Sequence, residues 1–141
     1  MIRRIIETES DMLALGEQIA KKLDRHGFIA LYGDLGAGKT VFARGVAKAF
    51  GISHVSSPTF TIVCEYHTEP RLYHFDAYRL SDADELYAIG YEDYLKDDAL
   101  ILRRKAESLL READSAREAA DAARVKSPSG IVRLVRRACP R

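Results

Sequence analysis

The chain has 141 residues, of which 47% are hydrophobic and 30% charged, and its formal net charge is +1. This length and composition are typical of one globular domain with its own core, and they exclude a fibrous or disordered chain. No apolar run is long enough to span a bilayer, and the amino terminus lacks the features of a secretory signal, so we expect a cytoplasmic protein without membrane association. Cys64 and Cys139 have no metal-binding spacing, which favours free thiols in a reducing compartment.

Charge and aromatic residues are unevenly distributed along the chain. Acidic residues outnumber basic ones in residues 1–102, whereas residues 103–141 are strongly basic and contain no Phe, Tyr or Trp. Alanine and arginine make up 17 of those last 39 residues. We therefore predict a structured domain over 1–102 and an atypical basic tail over 103–141. Since alanine and arginine have GC-rich codons, this composition favours a tail produced by a change of reading frame.

The first elements follow from capping and periodicity. Thr8 followed by Asp11 predicts an N-terminal cap, and apolar residues at helical spacing continue to Leu23, with Gly27 as the expected terminator. The compact apolar run 28–32 is typical of a buried parallel strand. It leads into a glycine-rich segment and then a second amphipathic helix.

The next segments predict strands. Residues 55–66 and 72–78 are rich in β-branched and aromatic residues, and the turn-forming residues 67–70 separate them, so they predict a hairpin. Residues 99–102 predict one more buried strand.

Glycine spacing identifies the most informative motif. The sequence GDLGAGKT places Gly33, Gly38, Lys39 and Thr40 in the pattern G-x-x-x-x-G-K-S/T, between a predicted strand and a predicted helix. Glycine lets successive backbone N–H groups converge on an anion, and the following helix adds its positive end. This predicts a phosphate-binding loop for ATP and Mg²⁺. The expected nucleotide-binding residues are Gly33, Asp34, Leu35, Gly36, Ala37, Gly38, Lys39, Thr40 and Val41.

The motif also assigns side-chain roles. Lys39 can reach the β- and γ-phosphates as a catalytic cation, and the Thr40 hydroxyl can coordinate Mg²⁺. The predicted fold is α/β of the P-loop NTPase type, with a mainly parallel sheet flanked by helices and an antiparallel hairpin insertion. The chain contains no asparagine, so the N-K-x-D element that specifies guanine is absent and ATP is favoured over GTP.

Two residues beyond the loop are further candidates, Asp76 and Thr59, and His74 is considered beside them. Asp76 ends a predicted strand and is the expected acid at the metal, although a surface turn is the alternative. Thr59 is a candidate for placing a hydroxyl near the γ-phosphate, with an ordinary strand threonine equally compatible. His74 is interpreted as a core or surface residue and not as a catalytic one.

Three segments together resemble the TsaE family, also called YjeE: GDLGAGKT at 33–40, SSPTFTIVCEY at 56–66 and LYHFDAYRL at 72–80. Members of that family are small bacterial P-loop ATPases that work with TsaB and TsaD to make N6-threonylcarbamoyladenosine at position 37 of tRNA. The resemblance implies the same partners here, with tRNA contacted indirectly through the complex. It also implies phosphate and Mg²⁺ contacts for Lys39 and Thr40, a metal-site role for Asp76 and nucleotide sensing for Thr59.

The chain departs from the family after the last predicted strand. There such proteins resemble "ilvEW", whose glutamate serves the Mg²⁺ and hydrolysis site, whereas Leu102 is followed here by Arg103 and Arg104. This departure leaves open a hydrolysis-impaired module that binds ATP. A nucleotide or small-metabolite kinase also stays open, because such kinases share the order of strand, P-loop and helix.

Overall fold

The computed structural model describes residues 4–33, 36–55, 62–76, 85, 88–94, 99–105 and 129–133. The elements, in chain order, are α1 (Glu9–Lys22), β1 (Gly27–Tyr32), α2 (Lys39–Lys48), β2 (Val63–Tyr66), β3 (Arg71–Asp76), α3 (Tyr91–Tyr94), β4 (Ala99–Lys105) and β5 (Ser129–Arg133). Within the described residues the strands form one five-stranded sheet in the order β2-β3-β4-β1-β5. The molecule is a mixed α/β fold with helices against a sheet.

Strand directions confirm a mainly parallel sheet with an antiparallel hairpin. β1 is parallel to both of its neighbours, β4 and β5, and β3 is parallel to β4. β2 pairs antiparallel with β3, with Tyr66 opposite Leu72 and Val63 opposite Phe75. The predicted hairpin is therefore present, with β2 and β3 assigned over 63–66 and 71–76 within the described residues. Residues 56–61 and 77–80 lie outside the described part of the chain.

The start of α1 agrees with its sequence signals, but its end does not. The Thr8 side chain accepts a hydrogen bond from the Asp11 backbone N–H at 3.1 Å, which caps the helix. The helix ends at Lys22, and Asp24 and Arg25 adopt the left-handed conformation with φ of 51° and 59°. Gly27 as a helix terminator is therefore wrong. The chain has already turned two residues earlier, and Gly27 begins β1.

The sheet buries both of its faces, which explains the continuous apolar runs of its central strands. One face, here called the α2 face, packs against α1 and α2; its buried residues include Ile29, Leu31, Leu72, Leu100, Leu102, Phe42 and Val46. The opposite, aromatic face contains Phe28, Ala30, Tyr32, Tyr73, Phe75, Tyr91, Ala99 and Ile101. Its rings meet edge to face, with Phe75 and Tyr91 centroids 5.0 Å apart. Alternation along each strand sends neighbouring residues to opposite faces.

Two glycines bring α1 and α2 into close contact. A Cβ added at Gly45 would lie 2.1 Å from the Leu13 carbonyl oxygen, and one added at Gly16 would lie 2.3 Å from the Phe42 carbonyl oxygen. The two helix backbones therefore touch where neither residue has a side chain. This contact fixes α2, and with it the segment that leads into α2, against α1.

β4 is longer than its sequence pattern predicts. The apolar run 99–102 is strand as expected, but pairing with β1 continues through Arg103 and Arg104 to Lys105, which lies opposite Tyr32. Ser129–Arg133 adds a strand on the other side of β1. Within the described residues, no helix has the length and apolarity needed to cross a membrane.

Candidate phosphate-binding site

The carboxyl ends of the four parallel strands lie along one edge of the sheet. β1 ends at Tyr32, β3 at Asp76, β4 at Lys105 and β5 at Arg133. We call this the carboxyl edge. In open α/β sheets, ligands bind beyond the carboxyl ends of the strands because loops and helix N-termini converge there.

The glycine loop, residues 33–40, connects β1 to α2 at this edge. Gly36 and Gly38 have φ of 78° and 95°, a region that residues with a side chain rarely adopt. Gly38 is the N-cap of α2, and its carbonyl accepts the Phe42 N–H at 2.9 Å. The turn therefore depends on glycine at these positions, and it places the amino end of α2 at the carboxyl edge.

Lys39 is the first residue of α2 and is 7% exposed. Its ammonium donates a hydrogen bond to the backbone carbonyl of Gly33 at the start of the loop. A lysine ammonium has three donors, so this bond anchors the side chain within the loop and is compatible with further contacts to an anion. Burial lowers the local dielectric, which strengthens any charge pairing made there.

The neighbours of Lys39 divide between solvent and core. Thr40 is exposed, Val41 is half-buried, and Ala37 packs against the α2-face cluster. Met12 of α1 lies over the loop, since a Cβ placed at Gly38 would be 3.2 Å from the Met12 Cε. The loop is thus supported from the α1 side, while the first turn of α2 presents Thr40 to solvent.

Asp76 is placed by β3 at the carboxyl edge. It is 9% exposed, and its backbone N–H donates to the Ile62 carbonyl at 2.9 Å. Strand alternation puts Asp76 on the same face as Leu72, which belongs to the α2-face cluster. β4 lies between β3 and β1, so two interstrand spacings, roughly 10 Å, separate the backbone of Asp76 from β1. A carboxylate at that range can serve a loop-bound phosphate through a metal ion or a water.

The two arginines after Leu102 occupy different environments. Arg103 is 8% exposed, with its guanidinium 5.3 Å from the Phe28 ring centroid and 5.7 Å from that of Tyr91. Its Nη1 donates to the Tyr91 hydroxyl at 3.4 Å. Arg103 therefore packs on the aromatic face. Arg104 lies in register with Asp76 on β3 and with Leu31 on β1.

Residues 6–129 match the family model described as threonylcarbamoyl adenosine biosynthesis protein TsaE. The chain belongs to the TsaE family. It is 41% identical over 108 residues to the tRNA threonylcarbamoyladenosine biosynthesis protein TsaE of Haemophilus influenzae, an alignment that covers 72% of this chain and 68% of the relative. It is 47% identical over 90 residues to the Aquifex aeolicus TsaE, which covers 61% and 68% respectively.

A solved structure supports the architecture. The crystal structure of Bacillus subtilis YdiB superposes with a TM-score of 0.56 at 24% identity, and the match covers 94% of this chain and 78% of that one. At this identity the likeness concerns the fold. The family-model match and the identity to the Haemophilus influenzae relative confirm the resemblance to TsaE that the three sequence segments indicate.

The described part of this TsaE chain brings most of the predicted site together. Gly33, Gly36, Gly38, Lys39 and Thr40 form the loop at the carboxyl edge, and Asp76 lies at the same edge. Asp34, Leu35 and Thr59 fall outside the described residues, so their roles stay predictions. Of the two interpretations of His74, core or surface, the structure supports the core, because His74 is only 2% exposed.

Sequence reasoning missed one contact of the loop and one strand pairing. Met12 of α1 lies against Gly38, a contact between helix and loop that the helical spacing of apolar residues does not predict. The pairing of Arg104 with Asp76 was also missed, because it requires the strand order and the register. The signal available in the sequence was that the apolar runs 72–75 and 99–102 are both typical of parallel strands, which allows them to pair.

Proposed function

We propose that this TsaE-family chain binds Mg-ATP in the glycine loop and hydrolyses it in the service of tRNA threonylcarbamoyladenosine biosynthesis. The observation that carries the proposal is the glycine loop between β1 and α2, with the buried Lys39 bonded across it to Gly33. Strand, loop and helix in this order are the elements of a P-loop NTPase.

The loop suits the phosphates of a nucleotide. The first turn of a helix leaves backbone N–H groups without partners inside the helix, and these groups can donate to an anion at its N-terminus. The helix dipole adds a positive potential there, which favours the negative charge of a phosphate. No acidic residue lies in the first turn of α2 to oppose that potential. Lys39 adds a full positive charge for the β- and γ-phosphates.

The donor set fits Mg²⁺ held largely by ligand and water. Within the described residues, no three His, Cys, Asp or Glu side chains cluster to hold a metal ion. Mg²⁺ usually takes one or two protein oxygens and completes its coordination with phosphate and water. Thr40 at the start of α2 and Asp76 at the end of β3 would supply those oxygens. When bound, Mg²⁺ would neutralise charge on the β- and γ-phosphates.

The proposed reaction is phosphoanhydride hydrolysis. A water oxygen forms a bond to the γ-phosphorus as the bond from that phosphorus to the β,γ-bridging oxygen breaks, giving ADP and phosphate. Lys39 and the loop N–H groups stabilise the negative charge that develops on the transferring phosphoryl group and on the leaving oxygen. Asp76 holds negative charge at the metal side of the site.

The proposed partners are TsaB and TsaD, as the family resemblance implies. In that assignment tRNA is contacted through the complex, and the cycle of ATP binding and hydrolysis resets the partner proteins without building the modification itself. The test is release of phosphate from ATP by the purified chain, measured with and without TsaB and TsaD. Stimulated release with water as acceptor supports the proposal. Release that requires a small-molecule acceptor would instead select a kinase.

One observation favours a second candidate, a module that binds ATP but barely hydrolyses it. Arg103 and Arg104 occupy the β4 positions where the family resemblance leads us to expect an acidic residue followed by tryptophan. ATP binding together with negligible turnover of enzyme-bound ATP, even with TsaB and TsaD present, selects this candidate over the ATPase.

A further inference from the structure

Met12 reaches from α1 to the end of the glycine loop. The residue is half-buried and packs against the α2-face cluster, as Leu15 and Ile19 of the same helix do. An ideal Cβ built on Gly38 would lie 3.2 Å from the Met12 Cε and 3.7 Å from its Cγ. Both distances are at or just inside van der Waals contact, so the Met12 side chain covers the last glycine before Lys39.

Backbone contacts hold α1 in place beside the loop. Gly16 of α1 lies against the Phe42 carbonyl, and Gly45 of α2 lies against the Leu13 carbonyl, because neither glycine has a side chain to separate the helices. Leu13 directly follows Met12 in the chain. The backbone of Met12 is therefore held at a fixed distance from the start of α2.

Gly38 is the point at which the loop becomes a helix. It has φ of 95° and is the N-cap of α2, and its carbonyl accepts the Phe42 N–H. Glycine has more accessible backbone conformations than other residues, so ordering it costs more conformational entropy. A side chain packed over Gly38 removes some of those alternative conformations. Because Lys39 follows directly, the conformation of Gly38 also affects where the Lys39 ammonium lies.

We propose that Met12 is a positioning residue, which holds the glycine loop in its phosphate-binding conformation before the nucleotide binds. This inference rests on the proposed function and extends it to a residue of α1, outside the loop motif. Met12 acts through Gly38 and gives no charge and no hydrogen bond to the phosphates. A loop that is already ordered loses less conformational entropy when ATP binds, so the protein binds ATP more tightly.

The experiment compares the parent with Met12→Ala, Met12→Leu and a matched control, Ile19→Ala. Ile19 lies about two turns further along α1 and packs against the same cluster, so its truncation removes core contact away from the loop. Leucine has nearly the volume of methionine and keeps an apolar side chain over Gly38. Amide hydrogen exchange of residues 36–40 is measured in the ligand-free protein. ATP affinity is measured by calorimetry, and the thermal unfolding midpoint by circular dichroism.

We expect Met12→Ala to speed exchange at residues 36–40 at least about 10-fold, because the loop then opens locally without unfolding of the core. ATP affinity should fall about 3- to 10-fold, as expected when binding must order one more flexible group. Ile19→Ala should lower the unfolding midpoint as well, but its loop exchange and ATP affinity should stay within about 2-fold of the parent. Met12→Leu should keep both within about 2-fold of the parent.

The inference would be overturned by a folded Met12→Ala whose loop exchange and ATP affinity match those of Ile19→Ala, since Met12 would then be an ordinary core residue. Weaker ATP binding with parental loop exchange would also overturn it, because Met12 would then act on the nucleotide directly. A Met12→Leu chain as impaired as Met12→Ala would exclude apolar support as the cause. If Met12→Ala does not fold, Met12→Val, which removes the sulfur and the Cε, gives the same comparison.

Failure of the proposed function is a separate outcome. The parent would then bind no ATP, while exchange at residues 36–40 in the ligand-free protein would still decide whether Met12 orders the loop.

Discussion

At the scale of single residues, Lys39 is the most exacting test of the loop. Lys39→Ala removes a charge-assisted contact worth roughly 1.5 to 3 kcal/mol, so ATP affinity should fall about 10- to 150-fold by calorimetry. Because Lys39 also bonds to Gly33, the thermal unfolding midpoint is measured in parallel. Lys48→Ala, which removes an exposed lysine from the other end of α2, is the matched control. Unchanged affinity in folded Lys39→Ala would remove the lysine from the phosphate site.

Asp76 tests the metal side of the same site. Asp76→Asn keeps the size of a side chain that is 9% exposed and keeps the backbone bond to Ile62, so the fold should survive. Loss of the carboxylate charge should reduce Mg²⁺-dependent turnover more than nucleotide affinity, because this charge acts at the metal. Turnover is measured against Mg²⁺ concentration, with Asp93→Asn on the exposed side of α3 as the control. If Asp76→Asn shows the same dependence of turnover on Mg²⁺ concentration as the parent, Asp76 has no role at the metal.

At the scale of elements, the contact between α1 and α2 predicts an unusual glycine substitution. Alanine is favoured over glycine in a helix by about 1 kcal/mol, yet a Cβ at Gly45 would meet the Leu13 carbonyl oxygen at 2.1 Å. Backbone cannot give way as a flexible side chain can, so the clash should outweigh the propensity gain. We expect Gly45→Ala to lose about 1 to 3 kcal/mol of unfolding free energy in urea titrations. Exposed Arg44→Ala, one position earlier in α2, should change it by less than about 0.5 kcal/mol. A stabilised Gly45→Ala would mean that the helices are not in contact there.

The same pair of helices carries a small dependence of stability on pH. Glu17 of α1 accepts hydrogen bonds from Lys21 and then from Lys48 of α2, and these bonds hold its pKa below the ordinary value of 4.5. A lowered folded-state pKa adds stability that is present above the unfolded pKa and lost as pH falls through the folded one. Relative to the parent, Glu17→Gln should therefore melt slightly lower at neutral pH and equally at pH well below 4.5. A difference that persists in strong acid or in high salt would contradict the ion-pair origin.

At the scale of the whole molecule, local sequence patterns predicted most of the helices and strands, but they did not predict which strands pair. The glycine loop could be predicted because its residues are contiguous and its chemistry depends on neighbours in sequence. The cap at Thr8 and the hairpin of β2 and β3 are local in the same sense. The position of β4 between β3 and β1 is set by packing of two buried faces, and the apolar runs that build those faces are interchangeable in composition. Proximity of Asp76 to Arg104 depends on that order and on register, so no single segment predicted it.

The remaining prediction concerns residues 103–141 as a sequence. Part of this segment pairs with β1, since β4 continues to Lys105 and Ser129–Arg133 forms β5. Its excess of alanine and arginine and its lack of aromatic residues nevertheless favour a change of reading frame. The resemblance to the TsaE family then implies that a neighbouring frame encodes an acidic residue followed by tryptophan directly after Leu102. A chain translated in that frame would place an acid at the end of β4 and would replace alanine by larger apolar side chains, which bury more surface.

Translation of the two neighbouring frames of the gene is the first measurement for this prediction, and comparison of the two purified chains is the second. We expect the alternate-frame chain to unfold at a higher temperature and to hydrolyse ATP faster, because an acid would then serve the metal site. If neither frame encodes the acidic residue and tryptophan after Leu102, the basic segment is a genuine extension of this family member.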